Sequence, residues 1–424
     1  MPVTVGPAFH LTNQTLSLVI PNARRVQPAQ LRQFTNLHLS LVCLLDIEQA
    51  PADALFRLYQ AWAEGETGLL LTGNVMIDRR AMTGPGGVVL EDERHLERFR
   101  QWASIGRAGG AQFWMQLNHP GRQTMANLGQ QALAPSAVAL DLGGFSKMFA
   151  EPKPMSEGDI EEVIQRFATS AALAEKAGFT GVQIHAAHGY LISQFLSPLT
   201  NRRTDRWGGS LENRARLLIN VVSAVRKSVS PTFCVAVKLN SADFQRGGFD
   251  ADDARHVIQW LNDQPIDLLE LSGGSYEAPA IQGEARDGRT LAREAYFLEM
   301  AGELASVANM PVMVTGGIRR LAIVEQVLDS GIAMAGIGTA LALEPQLVKR
   351  WREGQNSHPQ LPPIRWKRKP LAALASMAVV KFQLNRLSRG RKTRPDVSAL
   401  WALILDRVYI ARRTRQYRQA MGMK

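Results

Sequence analysis

Cysteine is nearly absent from this chain, with two in 424 residues, Cys43 and Cys234. Two cannot build a disulfide framework, a four-thiolate zinc site or an iron–sulfur cluster, and their scarcity suits a reducing cytoplasm. Long apolar runs are missing too. The longest, LAALASMAVV at 371–380, falls well short of the roughly 20 residues that span a bilayer. No basic start followed by an apolar stretch opens the chain, so no signal peptide is expected. No G-x-G-x-x-G follows an early strand, which removes the main support for an open dinucleotide-binding sheet.

What is present fits a globular enzyme: 46% hydrophobic and 21% charged residues,. The net charge of +11 is unevenly spread. Residues 365–424 hold 16 Lys/Arg against two acids, Asp396 and Asp406, which leaves 33 basic and 36 acidic residues for 1–364. A near-neutral body is thus followed by a strongly basic tail, with a boundary near the Pro-rich LPPIRWKRKP at 361–370,. The organisation expected is one domain over 1–360 and a basic, helical extension over 361–424.

Through the body, short apolar runs of β type alternate with helical patterns. The runs are LSLVCLL (39–45), GLLLTG (68–73), AQFWMQLN (111–118), GVQIHA (181–186), FCVAVKLN (233–240), LLELSGG (268–274), PVMVTGG (311–317) and AGIGTA (335–340). Between them lie helical segments such as 161–178 and 211–227. Strands apolar throughout, each followed by a helix, indicate a parallel sheet covered on both faces. Eight such units make a TIM (β/α)8 barrel the best fit, and the polar residues at the strand ends fall on the face where such barrels carry their sites.

Four motifs stand at those ends. HAAHGYL (185–191) places His185 and His188 three apart on a turn with Tyr190 beside them: two imidazoles able to aim at one oxygen, or to ligate a metal, and a phenolic proton,. In QLNHPGRQ (116–123), Gln116 offers an amide that donates and accepts, suited to a ring edge of alternating polar atoms. His119, Gly121 and Arg122 read as shaping the turn. VTGGIRR (314–320) and GIGTALALEP (336–345) put glycines where barrels often hold phosphate through backbone N–H groups. NRRTDRWGGSLENR (201–214) reads as a structural loop, with Ser210 as an N-cap and Glu212 in the first turn of the helix it opens.

Together these residues, above all HAAHGYLISQFLSPLTNRRTDRWGGSLENR, resemble the old yellow enzyme family of NADH:flavin oxidoreductases, over about residues 53–355. The resemblance implies a TIM barrel with non-covalent FMN at the C-terminal face and NADH or NADPH as co-substrate. By the same resemblance His185 and His188 would bind a carbonyl oxygen of an alkene substrate and Tyr190 would protonate its Cα. Gln116 and Lys238 would contact the isoalloxazine, backbone near Gly73 and Asn74 would pass beside it, and Gly316, Gly317 and Gly338 would hold the phosphate. Two places depart from the pattern. Thr339 stands where the family carries an arginine against the phosphate, and residues 27–52 do not resemble the NR-x-x-x-APM segment of the family's first strand.

The function expected is hydride transfer from NAD(P)H through FMN to an activated C=C bond. Two other readings remain: a non-catalytic, flavin-deficient barrel owing to the 27–52 segment, and a metal-dependent barrel hydrolase on His185 and His188. In the tail, 371–388 and 398–413 mix apolar and basic positions at helical spacing. The tail is read as two helices packed on the barrel, or as a weak contact with an anionic membrane surface through Trp401, Leu403 and Ile404. No motif for specific nucleic-acid recognition is present.

Overall fold

Capping residues set the helices of this computed structural model, which describes residues 49–278 and 298–423. Ser156 and Asp159 form a reciprocal capping box at the start of α3 (Glu157–Lys176), and Gly178, with φ +89°, follows its end,. Ser210 accepts from the Asn213 N–H to open α5 (Leu211–Ser228), as its sequence predicts, and Asp250 does the same for α6 (Ala251–Asn262),. The other body helices are α1 (Asp53–Ala63), α2 (Leu96–Arg107), α4 (Leu191–Leu196), α7 (Leu298–Ala305), α8 (Leu321–Asp329), α9 (Thr339–Leu343) and α10 (Leu347–Arg352).

The strands of the main sheet are β1 (Leu69–Met76), β2 (Val88–Val89), β3 (Gln112–Asn118), β6 (Gly181–Ala186), β7 (Cys234–Asn240), β8 (Leu268–Ser272), β9 (Val312–Thr315) and β10 (Met334–Gly336), while β4 (Ala132–Ala134) and β5 (Pro152–Pro154) pair separately. The main order is β10-β9-β8-β7-β6-β3-β1-β2, parallel throughout. Seven of the eight expected runs are therefore strands, curled with their helices into the TIM-barrel fold. The run at 39–45, and with it residues 27–48 of the atypical segment, lies outside the described residues. The last run is shorter than expected: the strand stops at Gly336 and Thr339 already opens α9.

Period-two alternation divides each strand between two cores. Phe113, Met115 and Leu117 of β3 pack outward with the helices, whereas Trp114 turns inward with Leu69, Leu71, Ala236, Leu268 and Met313. Those six form an apolar floor to the barrel. The same inward face continues toward the strand ends as Gln116, Gln183, Lys238 and Glu270, each almost fully buried. The polar mouth is thus stacked directly on the apolar floor.

The basic extension folds as α11 (Lys369–Leu387) and α12 (Ala399–Ala420), packed on each other through Ala375, Ala378, Val379, Ala402 and Leu403. Arg57 of α1 donates to the Ser388 carbonyl at 2.7 Å. Near the end of α12, buried Tyr417 donates to the Arg79 carbonyl at 3.1 Å and packs with Met76, Met82 and Leu128. The extension is therefore docked beside the loops that follow β1 and β3. Leu403 is buried in the helix pair, which corrects the expectation that it faces outward with Trp401 and Ile404. Among the described residues, no helix is long and apolar enough to cross a membrane.

Candidate active site

The end of β6 makes an unusual turn. His188 has φ +60° and Gly189 has φ +71°, so two successive residues are left-handed, a conformation uncommon outside glycine. Contacts on both sides hold it. The His188 N–H donates to Asn240 Oδ1 at 3.0 Å, and Gln123 donates to the His188 carbonyl at 2.9 Å. Local strain of this kind persists where the surroundings over-determine it.

The turn folds the His188 ring back onto His185. His188 Nδ1 lies 3.3 Å from His185 Nε2, and His188 Nε2 lies 2.7 Å from Ser272 Oγ. The Ala187 N–H points at His185 Nδ1 at 3.2 Å. An acceptor at that Nδ1 leaves the proton on Nε2, so the chain reads His185 Nε2–H to His188 Nδ1, then His188 Nε2–H to Ser272. Burial, followed by the positive charge of Lys238, pushes both rings well below the usual histidine range. They are neutral donors at pH 7.

Tyr190 caps α4 with its ring 4.8 Å from that of His185, centroid to centroid. Its phenol is 3.1 Å from the Tyr276 hydroxyl and is also hydrogen-bonded by Asn74. Burial, then Tyr276, raises the Tyr190 phenol well above its ordinary value.

Beneath these rings runs a buried polar ladder. Gln116 Nε2 donates to Gln183 Oε1 at 2.6 Å, Gln183 Nε2 donates to Glu270 Oε2 at 2.7 Å, and Lys238 Nζ lies 2.7 Å from Glu270 Oε1. Register explains the meeting, because Gln116 pairs with Gln183, His185 with Lys238, and Lys238 with Glu270 across adjacent strands. Burial lowers the Lys238 pKa, and the Glu270 carboxylate opposes that fall.

On the neighbouring strand the β1–β3 register shifts between Leu71 and Asn74. Thr72 Oγ1 accepts from the Gln116 N–H and donates to the Gly73 carbonyl, while the Gly73 N–H turns to the Tyr59 hydroxyl at 3.1 Å. The irregularity turns this backbone out of the ladder, as bulges do beside sites. Gly316 and Gly317 (φ +65°) follow β9, Gly338 caps α9, and Thr339 is exposed at its first position. Thr315 and Gly336 pair across β9 and β10, and a Cβ on Gly336 would stand 2.0 Å from Thr315 Oγ1. Half-buried Arg319 and Arg320 belong to the same loop as the glycine pair.

The structure thus brings His185, His188, Tyr190, Lys238, Gln116 and Asn74 together, and sets Gly316, Gly317, Gly338 and Thr339 at the ends of two adjacent strands. Sequence reasoning passed over Gln183, Glu270, Asn240 and Tyr276. A signal for two of them was present: Gln183 and Glu270 are the lone polar residues ahead of the strand ends in GVQIHA and LLELSGG. His119 and Arg122 are structural here. Burial drives His119 down to about 4, and its Nδ1 accepts from the Gly121 N–H. Arg122 makes a buried ion pair with Glu277.

Several buried polar atoms at this mouth have no protein partner among the described residues: Asn74 Oδ1, both polar atoms of the Asn118 side chain, and Thr315 Oγ1. Leaving such atoms dry is costly, and they stand on β1, β3 and β9, around the same end of the barrel. That set fits a bound group with a polar ring edge, as a flavin has. No cluster of three or more His, Cys, Asp or Glu suited to a metal occurs among the described residues.

Comparison with known proteins places the chain. The profile of the NADH:flavin oxidoreductase / NADH oxidase family matches residues 39–358. The NADH-dependent flavin oxidoreductase iliE of Neonectria sp. (strain DH2) is 37% identical over 324 residues, covering 70% of this chain but 42% of that protein, so the chain spans under half the length of this relative. The enzyme of the same name from Hypocrea jecorina (strain QM6a) is 35% identical over 314 residues, covering 69% of this chain and 78% of its own. Among solved structures, the old yellow enzyme homologue from Zymomonas mobilis superposes with a TM-score of 0.64 at 23% identity, over 79% of this chain and 91% of that one, which speaks to the fold alone. The chain belongs to the NADH:flavin oxidoreductase / NADH oxidase family, that of the old yellow enzymes, whose cofactor is FMN and whose co-substrate is a nicotinamide.

Proposed function

We propose that this chain is an ene-reductase, oxidising NADH or NADPH and reducing a C=C bond conjugated to a carbonyl. The observation that carries the reading is the neutral His185–His188 pair with the Tyr190 phenol against it on one strained turn. FMN, when bound, supplies the hydride relay between nicotinamide and alkene. The protein's part is to hold the alkene and move a proton. A carbonyl oxygen placed at the pair would take an imidazole N–H in exchange for an internal partner such as Ser272 Oγ, and that donor would stabilise the charge growing on the oxygen. Tyr190 would give its proton to Cα. Gln116, Asn74 and the Gly73 backbone would meet the polar edge of the ring, with Lys238 beside it. Gly316, Gly317, Gly338 and Thr339 would hold the phosphate, and Arg319 and Arg320 would bring the charge that Thr339 lacks.

The test is a purified-protein absorbance spectrum with added FMN, followed by anaerobic NADH oxidation with and without 2-cyclohexenone. Flavin retention and enone-dependent NADH oxidation are expected. A chain that stays colourless after FMN is added, and oxidises no NADH, supports the non-catalytic reading instead.

A second feature lies outside this site. Leu400, Trp401, Ile404 and Val408 expose 57, 53, 45 and 59% of their surface along one side of α12, which continues into exposed Arg412 and Arg415. We propose that this stripe touches an anionic membrane surface, apolar side chains in the interface and arginines on the headgroups. Co-sedimentation with phosphatidylserine vesicles at low salt should be lost in Trp401→Ser/Ile404→Ser. Equal sedimentation of both proteins removes the stripe from any such contact.

A further inference from the structure

Behind the histidine pair, one buried amide has both of its ends in use. Asn240 ends β7, Asp243 follows three residues later, and both are buried. Asn240 Oδ1 accepts from the His188 N–H at 3.0 Å, and its Nδ2 donates to Asp243 Oδ1 and to the Gly274 carbonyl, each at 3.1 Å. One side chain thus ties together the loops after β6, β7 and β8. The amide has two orientations, and these neighbours suit one of them. A carboxylate and a carbonyl oxygen only accept, so the NH2 faces them and Oδ1 faces the His188 N–H. Turned over, the amide would set NH2 against N–H and oxygen against two oxygens. Asp243 is itself fixed: its N–H donates to the Phe249 carbonyl at 2.8 Å, and its Oδ2 accepts from the Phe249 N–H at 3.2 Å. The same stretch holds a partner of the His188 ring, because the Ser241 N–H donates to the Ser272 carbonyl at 2.7 Å and Ser272 Oγ lies against His188 Nε2.

We infer that Asn240 and Asp243 are a positioning pair for His188: Asp243 orients the Asn240 amide, and the amide holds the left-handed His188 backbone that aims the ring at the substrate carbonyl. The inference rests on the carbonyl-binding reading of His188 given above. A left-handed histidine beside a left-handed glycine is a conformation that its surroundings must impose,. An acceptor that cannot turn away from the His188 N–H imposes it from one side, as Gln123 does from the other. The role assigned to the pair is to set geometry, and no bond is made or broken on it.

An exchange of the two side chains separates positioning from packing. Asn240→Asp keeps an acceptor for the His188 N–H but loses the donors to Asp243 and Gly274 and sets a second carboxylate against the first. Asn240→Asp/Asp243→Asn keeps the net charge and restores a donor and an acceptor between the two positions. Full-chain holoenzyme labelled with nitrogen-15 at histidine reports the His188 ring, identified by the signals missing in His188→Ala. At pH 7 the wild-type ring is neutral, with Nε2 protonated and Nδ1 accepting. Asn240→Asp should shift both ring signals and lower kcat for 2-cyclohexenone by about a hundredfold, the low end of the loss when one oxyanion donor is removed. The exchange should return the signals toward wild type and recover about tenfold of the rate, within the usual coupling of contacting residues. Asp243→Asn, whose amide can present either end to Asn240, should give two sets of His188 signals, and it carries the test if the other variants do not fold. Unchanged His188 signals overturn the inference, even with a lowered thermal midpoint, because the pair then only packs. An exchange no better than Asn240→Asp overturns it too, because Asp243 is then not the orienting partner. Shifted signals at wild-type kcat also overturn it, because the aim of the ring then does not matter. His188→Ala tests the underlying reading by itself: a wild-type rate in that variant removes His188 from carbonyl binding, whatever the pair does to its ring.

Discussion

Trp114 and Gln116 stand two residues apart on β3 and face the same interior, yet they answer to different physics. Trp114 belongs to the floor, where Leu69, Leu71, Ala236, Leu268 and Met313 fill space and few polar atoms need partners. Gln116 belongs to the mouth, where it donates to Gln183, which in turn donates to Glu270, and each of these hydrogen bonds replaces one that water would have made. Floor residues stabilise the fold by leaving water. Mouth residues are expensive to bury and are tolerated because they complete one another. The lower barrel is therefore a scaffold and the upper barrel a device, separated by a single step along each strand.

The comparison breaks most severely at Glu270. Glu270→Ala leaves the Lys238 ammonium buried without its carboxylate, and removing one partner of a buried pair costs about 3–5 kcal/mol. Replacing both, as Lys238→Met/Glu270→Leu, should recover most of that loss, because apolar groups of similar size often substitute for a buried ion pair at little cost. Urea unfolding of the three proteins measures it. A double variant as unstable as Glu270→Ala would show that the mouth does more for stability than an ion pair in isolation explains.

Acid titrates the mouth and leaves the floor untouched. His119, His185 and His188 all have folded-state pKa values below 6.5, His119 at about 4. The unfolded chain binds more protons than the folded one in that window, so stability is present above pH 6.5 and is lost as pH falls below it. The slope for each ring is about 1.4 kcal/mol per pH unit. For His119 the loss ends near its folded pKa. Thermal midpoints at pH 7 and 5.5 should fall apart in wild type, and His119→Asn should narrow the difference. Identical midpoints at the two pH values would mean that these rings are not buried as neutral bases.

The floor and the mouth were not equally legible in the sequence. Apolar runs marked seven strands to within a few residues, because burial on both faces leaves little choice of residue. His185, His188 and Tyr190 were legible because their spacing on one turn is dense in chemistry. Gln183 and Glu270 were not read, although each is a polar residue inside an apolar run. Their role depends on register between strands distant in the chain, which local periodicity does not specify. Lys238 shows the same limit: its type pointed to the site, but its ion pair with Glu270 exists only across β7 and β8. Tyr276 lies in a loop, where no periodic pattern carries information. In the extension, helical spacing located α11 and α12, but not which face of α12 packs, so Leu403 was assigned to the wrong side.

The mildest pair of substitutions sharpens the comparison most, because both conserve volume. Met313→Leu alters the floor by shape alone, and such swaps usually cost under about 1.5 kcal/mol. Gln183→Met keeps the length of the side chain but deletes the acceptor for Gln116 and the donor to Glu270. A hydrogen bond to a charged group contributes about 1.5–3 kcal/mol, so this variant should lose at least as much as the floor variant and more at the upper limit. Stability alone separates the two weakly. Flavin affinity should separate them clearly: with Gln183 gone, the Gln116 amide loses the acceptor that helps to set its orientation toward a ring edge. FMN titration by fluorescence quenching should therefore show weaker binding in Gln183→Met and wild-type binding in Met313→Leu. If both variants bind FMN equally well, the ladder beneath the histidines stabilises the barrel without organising the site, and the mouth is a polar extension of the floor.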